Sequence, residues 1–86
     1  MYKVTVMQSK DNHNEFCYNG AIIIKCNRYD YLVRIMVNNE CRKFEYYASS
    51  LQEACRYINE KRTELQDVFS PAIIMEKHYK RIAVYF

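Results

Sequence analysis

The sequence predicts a single α+β domain, residues 1–86, with one amphipathic helix packed on one face of an antiparallel sheet in the order ββββαββ. Three observations carry this. Apolar residues alternate in several short segments, most clearly over 29–37, as they do in half-buried strands. At Ser50 the apolar spacing changes from two residues to 3.6. After Pro71, strand-like residues return. Eighty-six residues, 50% of them hydrophobic and 27% charged, suit one small domain and are too apolar for a disordered chain.

Each element follows from its residues. Over 2–7, Tyr2, Val4 and Val6 share one face and Lys3, Thr5 and Met7 the other, which makes a strand. Residues 8–14 are polar and form a loop. Residues 15–26 read as a second strand with a bulge at Gly20, and Asn27-Arg28 as a turn. Over 29–37, Tyr31, Val33, Ile35 and Val37 form one face and Leu32, Arg34 and Met36 the other. Asn38-Asn39 can take the positive φ angles of a tight hairpin. A fourth strand follows over 41–48, with Phe44, Tyr46 and Ala48 alternating.

Ser50-Leu51-Gln52-Glu53 has the capping-box form, so the helix is expected over about 50–69. Leu51, Ala54, Cys55, Ile58, Leu65 and Phe69 make its apolar stripe, with Arg62 in the middle of that stripe. Pro71 ends the helix. Two more strands, 72–77 and 81–86, are expected as a hairpin around Lys77-His78-Tyr79-Lys80. The core should join Leu51, Cys55, Ile58 and Leu65 to Val33, Ile35 and Phe44.

The sequence excludes several functional classes. No apolar run approaches the ~18 residues of a spanning helix, so no membrane partner is expected. No charged stretch leads into an apolar segment at the start, so no secretory signal is expected and cytoplasmic residence is the default. Cys17, Cys26, Cys41 and Cys55 are separated by 8, 14 and 13 residues, without the short spacing of a zinc ligand pair. They are expected to be reduced, buried, structural side chains, with no metal and no cofactor. Phosphate-loop, dinucleotide, zinc-protease and serine-hydrolase motifs are all absent, and a single glycine cannot build a phosphate cradle by the usual route. An enzyme is therefore not expected.

Binding surfaces are the remaining option. If Val33 and Ile35 face the helix, Arg34 faces away with Leu32 and Met36, and neighbouring strands should add Ile23, Lys25 and Lys43 to the same face. Cations beside apolar side chains suit a protein-binding surface or a nucleic-acid contact. The expected second cluster is Lys77, Tyr79, Lys80 and Arg81 in the final turn.

Residues 28–66 resemble the three-stranded-sheet-plus-helix DNA-binding domains of plant ethylene-response factors and of the arm-site-binding domains of conjugative-transposon integrases. The stretch that carries this is Tyr31-Leu32-Val33-Arg34-Ile35-Met36-Val37, then Arg42-Lys43, Phe44 and Ser50-Leu51-Gln52-Glu53-Ala54. The resemblance implies a sheet that enters the major groove, with Arg34 and Lys43 as the contacts. The glycines and tryptophans usual in those families are absent.

Two functional readings follow. The first is a non-enzymatic protein-binding module that inhibits a host system stoichiometrically, as phage anti-CRISPR and other anti-defence proteins do. Its partner would be a host protein or nucleoprotein complex. The composition fits an AT-rich genome: Phe, Tyr, Met, Ile, Asn and Lys number 39, against 13 for Gly, Ala, Arg and Pro. The alternative is a small regulator that docks its basic sheet face on DNA or RNA. The net charge of +3 is modest for that role and favours the first reading.

Overall fold

The computed structural model describes residues 3–38 and 43–86. Seven antiparallel strands and one helix form a small α+β domain. The strands are β1 (Lys3–Ser9), β2 (Glu15–Tyr18), β3 (Ala21–Asn27), β4 (Asp30–Val37), β5 (Lys43–Ala48), β6 (Phe69–Ser70) and β7 (Tyr79–Tyr85); α1 spans Leu51–Glu64. The sheet runs β5-β4-β3-β2-β1-β7, and the short β6 pairs with β4 beyond the start of β3. The positions expected at Tyr2, Asn39 and Cys41 lie outside the described residues.

One strand more is present than the sequence pattern suggested. Residues 15–26 are two strands joined by Asn19-Gly20, whose φ angles of 50° and 85° are both positive. Positive φ at both central residues is what a type I′ hairpin turn requires, and Asn-Gly supplies it at low cost. Gly20 therefore makes a turn and not a bulge. The next hairpin turns at Arg28-Tyr29, where Asn27 Oδ1 accepts the Tyr29 N–H at 2.9 Å and Asn27 Nδ2 donates to Asp30 Oδ2 at 2.6 Å.

α1 begins at the capping box, with Glu53 reaching one residue further back than the N-cap Ser50. The Ser50 hydroxyl accepts the Glu53 N–H at 3.1 Å. The Glu53 carboxylate turns back to the Ser49 N–H (3.2 Å) and hydroxyl and also accepts from the Tyr46 hydroxyl at 2.5 Å. These bonds, the Ser49 hydroxyl first, hold the Glu53 carboxyl below its ordinary value of 4.5. Glu53 therefore adds stability above pH 4.5, and this is lost as the pH falls through its depressed folded value. Thermal unfolding followed from pH 6 to pH 2 should show a shallower acid destabilisation for Glu53→Gln than for the native chain. Parallel curves would mean that the carboxylate contributes nothing.

The helix ends at Glu64, earlier than its apolar stripe. The Leu65 carbonyl takes the N–H groups of Val68 and Phe69, at 2.9 and 2.7 Å, and turns the chain. Phe69 then pairs with Val37 and Ser70 with Met36. β4 extends past β3 there, and the pairing gives backbone partners to both chains. α1 packs over β4 and β5. Ile58, Ala54, Ile23, Val33, Ile35 and Val6 are all fully buried in the core, with Cys55 3% exposed. Leu51 and Leu65 are half-buried. Phe44 stands opposite Ile35 in the ladder but is 44% exposed, contrary to expectation. β5 is an edge strand with no outer neighbour among the described residues to cover the ring.

The final hairpin is not formed. After β6 the chain runs extended through 71–75, makes one 3₁₀ turn at Glu76–His78, and enters β7 alongside β1. Ladder pairing of β7 with all seven residues of β1 replaces pairing with the short 72–77 segment.

Candidate functional site

The sheet face opposite α1 gathers much of the predicted surface. Ladder register sets Ile24, Leu32 and Tyr47 side by side on β3, β4 and β5. The next row is Cys17, Ile22, Arg34 and Glu45. Met36 follows, opposite Lys43 on β5. Leu32 is buried by its neighbours at 7% exposure, whereas Tyr47 is 63% exposed. Arg34 Nε meets Glu45 Oε2 at 3.2 Å, with both side chains about 40% exposed. That pair is partly neutralised, and its exposure makes it worth little to stability.

Lys25 is not on this face. Ile23 pairs with Val33 and Lys25 with Tyr31, so both stand on the helix side, and Lys25 Nζ lies 5.9 Å from the Tyr31 ring centroid. The Asn19-Gly20 turn fixes this register: Ala21 and Ile23 enter the core, and Ile22 and Ile24 take the open face.

The second expected cluster is divided. Tyr79 and Arg81 pair with Ser9 and Met7, on the open-face side of β7. Lys80 pairs with Gln8 and stands on the other side, and Lys77 lies in the 3₁₀ turn. Lys10 Nζ donates to the Lys77 carbonyl at 3.1 Å. Tyr79 donates its hydroxyl to Glu15 Oε2. Burial, then this bond, pushes the Tyr79 phenol up to about 12, so it remains a donor at neutral pH.

Arg62 is structural. Its guanidinium donates to the Asn19 carbonyl at 3.0 Å and to Asn19 Oδ1, and lies 4.5 Å from the Phe69 ring centroid. Asn59 Oδ1 accepts from the Tyr18 hydroxyl and Asn19 Nδ2 at 3.2 and 3.1 Å. The C-terminal half of α1 is thus fastened to the β2–β3 turn.

Cys17 and Cys55 are buried and unpaired, and burial raises both thiols, Cys55 to about 11. Such thiols are poor nucleophiles and poor metal ligands. Cys26 departs from the expectation of burial: it is exposed near the β3–β4 turn, where a bulge shifts the register. Among the described residues no three His, Cys, Asp or Glu side chains group to hold a metal ion. No helix among the described residues is long and apolar enough to cross a membrane.

The strap 71–75 and the cleft beside it are not expected from the sequence pattern. The readable signal was Pro71, which cannot donate to a ladder and marks an unpaired stretch. Comparison with protein families, curated proteins and solved structures finds no match.

Proposed function

We propose that the chain is a non-enzymatic protein-binding module whose contact surface is the β3–β5 half of the open sheet face. The observation that carries the reading is the row Ile24, Leu32 and Tyr47 beside Met36, bordered by the Arg34–Glu45 ion pair. An apolar centre with an exposed aromatic ring and a charged, internally paired border is the composition of a protein interface. A nucleic-acid surface would need several unneutralised cations in a row. Here Arg34 is paired with Glu45, and Lys25 stands on the helix side. Stoichiometric inhibition of a host defence system is the form of this reading that the small size and AT-biased composition support.

Tyr47→Lys and Met36→Glu place charges in this patch at positions that are not in the buried core. Tagged native chain should capture a defined partner from cells of the source, at a stoichiometry independent of nuclease treatment. Each substitution should weaken that capture on the order of tenfold or more, with an unchanged unfolding temperature. Capture unaffected by both substitutions would remove this face from consideration. Steeply salt-dependent retention of a mixed-sequence DNA duplex would favour the DNA alternative.

A further inference from the structure

The extended strap between β6 and β7 crosses the open face instead of joining the sheet. Its side chains alternate as in a strand: Ala72 and Ile74 are partly covered, Met75 is 57% exposed and Ile73 is 99% exposed. Both ends are fastened. The Ala72 N–H donates to the Gly20 carbonyl at 2.8 Å, and just past the strap the His78 carbonyl accepts the Lys10 N–H at 2.8 Å. Between them, the N–H and C=O groups of Ile73 and Ile74 make no hydrogen bond among the described residues. A held, extended segment with strand alternation and unpaired backbone groups is a template for an added strand.

Beside the strap lies a cleft of about 500 Å³, within the size range of ligand sites. Ile22 supplies an apolar surface, and the Glu15 carboxylate is oriented by the Tyr79 hydroxyl. Asp11 Oδ2 lies 3.3 Å from His78 Nδ1. The lining holds two carboxylates and no lysine or arginine, on a chain whose net charge is +3.

We propose that this cleft binds an extended segment of a partner protein that carries a lysine or arginine. The segment pairs with the free N–H and C=O of whichever of Ile73 and Ile74 turns them to the cleft, since successive residues of an extended chain point these groups to opposite edges, and sets its cationic side chain against Asp11 and Glu15. The inference rests on the protein-binding reading in that the ligand is a protein segment, but it uses a different part of the face. Charge complementarity selects the occupant. A second copy docking strap to strap would bring a segment that is uncharged from Pro71 to Met75 and offers the carboxylates nothing. A nucleic-acid backbone would meet like charge.

The test is an amide-resolved NMR titration of the full chain with two probes, acetyl-Val-Lys-Val-amide and acetyl-Val-Glu-Val-amide. The lysine peptide should shift the Ile73 and Ile74 amides with a dissociation constant on the order of 1 mM. The glutamate peptide should bind at least about tenfold more weakly, and Asp11→Asn with Glu15→Gln should erase that preference. Asp11→Asn by itself, at an exposed position, keeps the test available if the double variant does not fold. The assignment is overturned if neither peptide shifts these amides or if both bind equally. It is also overturned if the amides shift on dilution of the protein without peptide, which would identify a second copy as the occupant. Failure here alongside a partner capture that Tyr47→Lys still weakens would overturn the cleft assignment and leave the protein-binding reading standing.

Discussion

Replacing Ile58 by alanine is expected to destabilise the fold by about 2–5 kcal/mol. Ile58 is fully buried, at the centre of the cluster that α1 forms with Ile23, Val33 and Ile35. Removing its outer carbons forfeits their transfer from water and leaves a cavity between a helix and a sheet, two surfaces that collapse only partly. Urea unfolding should show a lower midpoint with an unchanged slope, because the surface exposed on unfolding barely alters. Ile73→Ala is the control: Ile73 is 99% exposed, and its truncation should change stability by no more than about 0.5 kcal/mol. Equal losses at the two positions would refute the packing of the helix on this sheet face.

Substituting Gly20 is the second large effect. Its φ of 85° is unfavourable for any residue with a Cβ and costs about 1–3 kcal/mol. A Cβ there would also lie 2.9 Å from Phe69 Cζ and 3.2 Å from Pro71 Cβ. The Phe69 ring has little room to retreat, because Arg62 lies 4.5 Å over it while bonding to Asn19. Overpacking adds about 1–3 kcal/mol, and valine should be worse than alanine. The effect should spread beyond the turn, since the Gly20 carbonyl also anchors the strap through the Ala72 N–H. Thermal unfolding of Gly20→Ala and Gly20→Val checks this, and native-like midpoints for both would refute the tight approach of Phe69.

The turn, the helix end and the strap meet at Gly20, and this gives the candidate binding surfaces a common support. Arg62 and Asn59 hold α1 to the β2–β3 turn, and the same turn sets which isoleucines reach the core. A substitution in this corner would therefore disturb both the β3–β5 patch and the strap cleft. Tyr47, on the edge strand β5, and Asp11, in the β1–β2 loop, are the better probes of function because each is exposed and outside this corner.

Much of the domain was determined by local sequence. The start of α1 follows from Ser50 and Glu53, whose side chains satisfy backbone N–H groups within a few residues of themselves. The faces of β4 follow from strict alternation, so Leu32, Arg34 and Met36 were readable as a set opposite Val33 and Ile35. The β2–β3 hairpin was also legible in Asn19-Gly20, a strong turn signal. Ile22-Ile23-Ile24 contains no alternation, so no local rule says which face of β3 is buried. The turn and the pairing with β4 decide it, and they carry Lys25 to the helix side.

The remaining features depended on groups far apart in the chain. Phe69 fits a helical stripe, yet it joins β4, because β4 extends past β3 and leaves backbone groups unpaired. Residues 72–77 begin with the apolar run Ala-Ile-Ile-Met and read as a strand, yet β7 takes the edge of β1, and the shorter segment is left to cross the open face. The pairing of Arg34 with Glu45 and of Tyr79 with Glu15 likewise awaited strand register. Periodicity and capping report interactions within a few residues, and those the sequence by itself determined. Competition among strands for a limited number of sheet edges is an energy difference between whole arrangements of the chain, and only the tertiary structure decided it.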